Sequence, residues 1–266
     1  EHLLLRSAAV DGDSPGASAS YPILADLQRR AALIRKVVDA CRLPASTDMS
    51  WSRFPHVDGE FNADVWYRLQ PDATQAEIIV QFEAAGSMQQ QLASIRDGDL
   101  FQDCWPNISQ MSSQPVDVCT VITRWLEKVS FGSLKTKNVE MISERVFCDC
   151  LQEKEPCWVV SERTPEIPNF KHFSGMWGPC EIPARLPGFH RVSGIRSGRV
   201  IRPVSVDRCV VTISCNFSVP PRLRWLFRDF VVARLVRSWL TSGYKSWQGL
   251  IQQWNCGKFL EKLSKR

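Results

Sequence analysis

The sequence predicts an α+β domain: a helix, a long series of strands with one helix inserted, and a second long helix near the carboxyl end. Three observations carry this. Ile23, Leu27, Ala31, Ile34, Val38 and Cys41 recur at helical spacing. From Ile78 to Phe217, β-branched and aromatic residues alternate with polar ones in runs bounded by Gly and Pro. The stretch Val219–Trp254, VPPRLRWLFRDFVVARLVRSWLTSGYKSWQGLIQQW, opens on Pro220-Pro221 and then has no breaker before Gly243. Leu223, Leu226, Phe227, Phe230 and Leu240 share one side of that helix; Trp225, Val232, Val236 and Trp239 share another. A helix apolar on several sides is covered on several sides, by protein, membrane surface or ligand. Arg222, Arg224, Arg228, Arg234 and Arg237 make it a poor membrane span.

Taken in order, residues 7–20 are Ser/Ala/Gly-rich, and 1–20 are read as a flexible tail. The first helix ends at Leu43-Pro44. Trp51 to Phe54 is a short strand or an anchor. Val65 to Leu69 and residues 77–85 are strands, the second ending at Gly86-Ser87. Ser87 with Gln90 makes a capping-box pattern for a helix whose face is Met88, Leu92 and Ile95. Asp97-Gly98-Asp99 ends that helix. Val116 to Trp125 reads as one strand, continuing through Val129 and Phe131. Val139, Met141, Ser143 and Arg145 lie on one side of the next strand. Glu153 to Pro156 is a break, and Cys157 to Glu162 returns as the second arm of a hairpin. Five prolines then interrupt residues 165–187, yet Phe170, Phe173, Met176 and Trp177 mark a packed segment. Phe189–Pro203 and Arg208–Phe217 are strands. After Gly243, Trp247, Leu250, Ile251 and Trp254 form a shorter helical face, and Lys258–Arg266 is a charged end. There is no internal repeat and no linker. One domain over residues 21–256 is expected, with a charged tail at 257–266.

The chain has 266 residues, enough for a full core without disulfides. Its net charge of +5 is modest. It fits weak attraction to an acidic membrane, and no motif supports nucleic-acid binding. The ten cysteines are scattered, which favours reduced, buried thiols. Cys148 and Cys150 share a strand face with Cys157 expected near them across the hairpin, a weak pattern for a metal. None of the four histidines has metal spacing. There is no nucleophile elbow, dinucleotide fingerprint or phosphate loop. Glu140, Glu144, Glu153 and Glu162 are solvated or ion-paired strand residues on the plainest reading. The expectation is a binding protein with no catalytic residue, no cofactor and no metal.

Three stretches resemble the StAR-related lipid-transfer (START) domain family. Leu92–Pro106, LASIRDGDLFQDCWP, is similar to that family's helix and following Asp-Leu-Phe segment. Val121–Glu162 is similar to its central strand, loop and hairpin series, and Ser197–Val236 to its last two strands and final helix. The resemblance spans residues 22–255. It implies a helix-grip fold, an antiparallel sheet curved around the long carboxyl-terminal helix with a lipid cavity between them. It implies non-enzymatic lipid transport by a monomer that touches membranes transiently, in the cytoplasm or at a membrane surface. The rival reading is a helix-grip enzyme, for which Glu140, Glu144, His190 and Arg145 are available, or a scaffold that transfers nothing. Two features depart from the family pattern: Phe217-Ser218-Val219-Pro220-Pro221 replaces a Gly-rich turn, and the tail is rich in Trp. The first residue is not Met, so the expectation includes a processed or partial chain with an unseen targeting segment.

A gate is expected where a loop meets the final helix. Phe131 and Leu134, with Leu223, Leu226, Phe227 and Phe230, are the candidate cavity and gate residues. Lys135, Lys137, Arg222, Arg224 and Arg228 are the candidate membrane-facing residues. Gly132 permits backbone change in the loop, and the lysines suit a headgroup region.

Overall fold

The computed structural model describes residues 22–53, 63–69, 75–105, 107–129, 137–194, 196–218, 243 and 245–265. Helix α1 (Pro22–Ala40) is followed by strands β1 (Ser52–Arg53), β2 (Ala63–Leu69) and β3 (Gln75–Ala85). Helix α2 (Met88–Arg96) and a 3-10 turn (Gly98–Cys104) lead into β4 (Ile108–Asp117), β5 (Thr120–Val129), β6 (Lys137–Cys150) and β7 (Cys157–Arg163). The Pro-rich segment holds a 3-10 turn (Phe170–His172) and a small hairpin of β8 (Gly175–Trp177) and β9 (Cys180–Ile182). Strands β10 (His190–Arg191), β11 (Arg196–Ser205) and β12 (Arg208–Ser218) precede helix α3, residues 245–255, and helix α4 (Lys258–Ser264).

The strands build one open antiparallel sheet in the order β1-β2-β3-β12-β11-β7-β6-β5-β4. β10 lies parallel to β6 beyond the point where β7 leaves it. This is a helix-grip-like α+β architecture, as the strand series implied. The long helix expected from Val219 lies outside the described residues up to residue 242.

Strand alternation gives the sheet two distinct faces. On the outer face Val159, Val200 and Cys157 pack with Val37 of α1 and with Cys41 just beyond its end. The strand period leaves only hydrogen at Gly198, directly beneath α1. A Cβ there would stand 2.5 Å from Val37 Cγ1. The same face of β5 and β6 is covered by the Pro-rich segment, where Phe170, Cys180 and Ile182 pack on Ile122 and Ile142. On the inner face Val121, Phe147, Val160, Ile201 and Val211 receive Ile95 of α2, with Leu92 and Trp247 beside them.

Local signals explain several boundaries. Ser87 caps α2, and both bonds of the capping box with Gln90 are formed. The expected single strand over 116–125 is instead two: β4 ends at Asp117 and β5 begins at Thr120. Asp117 turns the chain, its carboxylate accepting from the Cys119 amide at 2.7 Å. The β-branched run Val116–Val121 hid this turn, because it has no Gly or Pro. Likewise 189–203 is broken into β10 and β11. Residues 258–264, read as a charged end, form α4. Phe259 is buried and stacks on Trp254 with ring centroids 4.1 Å apart.

The sheet's edges are polar or short. β4 carries Ser109, Gln110, Ser112, Ser113, Gln114 and an exposed Pro115, with register shifts near both ends. β1 is two residues long.

Gly198→Ala is expected to lower stability by about 1–3 kcal/mol, because the new methyl overpacks a β-branched neighbour. Urea unfolding checks this. Adding Val37→Ala should recover part of the loss rather than add to it.

Candidate functional site

Register alone assembles a polar group on the apolar inner face. Val121, Arg145, Glu162, Ser197, Cys215, Ile78 and Tyr67 lie directly opposite one another across six neighbouring strand pairs. Directly opposite residues share a face. Ser113, Thr123 and Ser143 form the adjacent row across β4, β5 and β6. Arg199, two residues along β11 from Ser197, completes the group.

Arg145 is buried and has a partner on every side. Its Nε and Nη2 donate to Glu162 Oε1 at 3.0 and 2.8 Å. Its Nη1 donates to the Ile95 carbonyl at 2.6 Å, at the negative end of α2. The guanidinium also lies 5.2 Å from the centre of the Trp125 ring. The Ser143 hydroxyl donates to the same Glu162 oxygen at 2.9 Å. Glu162 Oε2 faces Arg199 Nη2 at 3.6 Å, longer than a good hydrogen bond. Burial pushes the Glu162 carboxyl up, but Arg145 and Arg199 outweigh it and hold the carboxyl below its ordinary range.

Within this group two guanidiniums face one carboxylate, and Glu127, four residues along β5 from Thr123, is the next acid on the same face among the described residues, its carboxyl pushed up by burial. At Arg199 burial and then the nearby Arg145 charge depress the pKa, against the pull of Glu162. An arginine stays protonated even so. Its Nε is buried with no hydrogen-bond partner among the described residues, and so are the Thr123 and Ser113 hydroxyls. An unmet buried polar atom costs about 1–3 kcal/mol, so three of them on one face mark a place that an acceptor-bearing molecule would complete. Tyr67 of β2 and Ile78 and Val80 of β3 are buried on the same face.

The other residues singled out from the sequence fall elsewhere. Phe131, Leu134, Lys135, Arg222, Leu223, Arg224, Leu226, Phe227, Arg228 and Phe230 lie outside the described residues. Lys137 begins β6 and is exposed. Glu140 and Glu144 are buried on the outer face, away from Arg145. Glu140 is held by Arg124 at 2.6 Å and Arg191 at 2.9 Å, and Glu144 by Arg163 at 2.8 Å and Arg29 at 3.3 Å. His190 is exposed on β10. The four candidates for an enzyme are therefore not brought together. Among the described residues no group of three or more His, Cys, Asp or Glu is placed to hold a metal ion. Sequence reasoning missed Arg199 and Thr123. Strand parity shows which face each takes, but only the cross-strand register puts them beside Glu162.

No family model matches the chain, and no curated protein does. Solved structures match it in fold. Human StAR-related lipid transfer protein 5 superposes with a TM-score of 0.60 at 13% identity, over 86% of this chain and 97% of that one. Human STARD10 does so with a TM-score of 0.54 at 14% identity, over 85% of this chain and 81% of that one. A STAR-related lipid transfer protein fragment from Xanthomonas axonopodis gives 0.50 at 14% identity, over 69% of this chain and 90% of that one. The chain has the fold of these START structures. Among the described residues no helix is long and apolar enough to cross a membrane; strand-built spans are a separate matter.

Glu162→Gln leaves the buried Arg145 guanidinium, and the half-buried Arg199 beside it, without their carboxylate and should cost about 3–5 kcal/mol of stability. The pH dependence gives a second reading. The Glu162 carboxyl is lowered on folding, so its contribution is complete above the ordinary value of 4.5 and is lost as pH falls through the lower folded value. The stability gap between wild type and Glu162→Gln should therefore narrow on acidification below about pH 4.5. Urea titrations across that range measure it.

Proposed function

We propose that the chain binds one lipid without covalent chemistry against the inner face of its sheet, and carries it between membranes. The observation that supports this reading is the Arg145–Glu162–Arg199 group, two guanidiniums to one carboxylate, set beside the buried Ile78 and Val80 of the inner face. The fold supports it as well, since solved proteins with this fold include lipid transfer proteins by name. The apolar residues take the acyl or ring portion, at about 0.8 kcal/mol per methylene removed from water. Arg199 Nε and the Thr123 and Ser113 hydroxyls take acceptor oxygens at the polar end. The second guanidinium favours an anionic headgroup, a carboxylate or a phosphate.

The gate belongs to the same proposal. Phe131, Leu134, Leu223, Leu226, Phe227 and Phe230 line the mouth, and Lys135, Lys137, Arg222, Arg224 and Arg228 meet the headgroups of the donor or acceptor membrane. The chain works as a monomer in the cytoplasm or at a membrane surface, as one domain over residues 21–256.

Native mass spectrometry of the purified chain and transfer between vesicles of defined composition test the ligand reading. Bound lipid is expected, with anionic species transferred faster than zwitterionic ones of equal chain length. Arg199→Gln should weaken anionic lipid binding about tenfold or more, the value of one charged hydrogen bond, while leaving the fold intact. No bound lipid and no transfer across carboxylate, phosphate, choline and sterol headgroups would sink the proposal.

Charge reversal tests the membrane contact separately. Lys135→Glu with Lys137→Glu should weaken binding to anionic vesicles by at least tenfold, at about 1 kcal/mol for each lysine near the surface. Lipid already bound should stay bound. Unchanged vesicle binding would move the mouth elsewhere.

A further inference from the structure

Thiols gather where β6 and β7 meet their shared turn. Cys150 lies directly opposite Cys157 in the last register pair before residues 151–156. Cys148, two residues back on the same outer face, has its sulfur 3.8 Å from Cys150 Sγ. Opposite residues of an antiparallel pair have Cα atoms about 4.5–5.5 Å apart. That falls inside the Cα range of about 4.4–6.8 Å that a disulfide spans. The surroundings divide the two thiols. A hydrogen bond from Cys150 lowers Cys157; burial opposes this, Arg202 adds to it, and Glu155 and Glu153 oppose it. Cys150 is pushed up by its hydrogen bonds to Cys148 and Cys157 and by burial. Of the two thiols, the lowered Cys157 is the better nucleophile.

Cys157 is buried in the same cluster as Cys41, and Cys150 at the turn is half-buried. Cys41 is buried beneath α1, 3.7 Å from two carbonyl oxygens, and burial pushes it up to about 12. Cys119 and Cys256 are exposed, and neither has a thiol directly across a strand from it. The described residues include all ten cysteines, and none is in a disulfide.

We propose that Cys150 and Cys157 are a reversible redox site, a dithiol that a peroxide closes into a disulfide across the β6–β7 turn. The Cys157 thiolate attacks one peroxide oxygen. A sulfur–oxygen bond forms, the oxygen–oxygen bond breaks, and the departing hydroxide takes a proton to become water. Cys150 then loses its proton and attacks the Cys157 sulfur. The sulfur–sulfur bond forms, the sulfur–oxygen bond breaks, and a second water leaves. Two thiols are oxidised and one hydrogen peroxide is reduced to two waters. An external thiol reverses the reaction by exchange, and Cys148 offers a neighbouring sulfur for it. This site is on the face opposite Arg145 and does not depend on any lipid being bound.

The test uses the full chain and hydrogen peroxide, followed by alkylation and peptide mapping. Cleavage after Lys154 separates the two cysteines, so a disulfide appears as two linked peptides. The expected result is selective loss of two alkylatable thiols of the ten, linked as Cys150–Cys157 and restored by dithiothreitol. In Cys150→Ser the reaction should stop at a Cys157 sulfenic acid, captured by a dione reagent. Linkage to Cys148 in place of Cys150 would overturn the assignment. So would oxidation that reaches Cys119 and Cys256 before the pair, or over-oxidation of Cys157 with no linkage in the wild-type chain.

Discussion

Arg145 donates to Glu162, closes the end of α2 through the Ile95 carbonyl, and lies over Trp125. A buried guanidinium tolerates burial only when its donors are met, and here they are met by three separate elements. The position of α2 over the sheet, the register of β6 on β7 and the placing of Trp125 are thus coupled through one side chain. A slip of one residue in β6 would carry Arg145 to the outer face and leave Glu162 with Arg199 alone. The other members of the polar group follow from this arrangement. Glu162 is committed to Arg145 and Ser143, so among the described residues Arg199 is left under-partnered.

The outer face handles its charges differently. Glu140 and Glu144 are each clamped between two arginines, and those arginines come from distant parts of the chain. Arg191 also donates to the carbonyls of Phe173 and Pro183, at 2.6 and 2.7 Å. It thereby ties the Pro-rich segment to β6, which that segment's backbone could not do with so few amide hydrogens. Arg29 and Arg30 tie α1 to Glu144 and Asp117. Ion pairs this deep return little net stability after desolvation. What they supply is position: each fixes a covering element over one part of the sheet. The outer face is closed by its own chain, and its donors are largely met. Among the described residues the inner face keeps Arg199 Nε and the Thr123 and Ser113 hydroxyls unmet.

Much of this was legible beforehand. The period of Ile34, Val38 and Cys41 located α1 and the side that packs. The Ser87–Gln90 box located α2, and the alternation of Val139 to Arg145 assigned the correct residues to one face of β6. The hairpin brought Cys157 near Cys148 and Cys150, as expected, and the register sets it opposite Cys150. What failed had physical causes. The turn at Val118-Cys119 is made by an Asp side chain within β-branched residues, so it carries no Gly or Pro signal. Residues 258–264 have only Phe259 and Leu260 among charges, and α4 forms because Phe259 finds Trp254 and Lys262 finds the Leu100 carbonyl. The polar group on the inner face draws on β4 to β7 and β11. No local window contains it, because its members meet only through strand register.

The two margins of the sheet bear on behaviour at high concentration. An open ladder ends in unpaired amide and carbonyl groups, and a passing strand from another molecule is attracted to them. Along β4 such a strand would meet Pro115, which has no amide hydrogen to give, and a backbone put out of step near both ends. At the other margin β1 is too short to serve as a template. Stacking of copies edge to edge is thus obstructed by a ring and two kinks rather than by charge. That obstruction is unaffected by ionic strength or pH, and it persists when the helical cover over either face loosens.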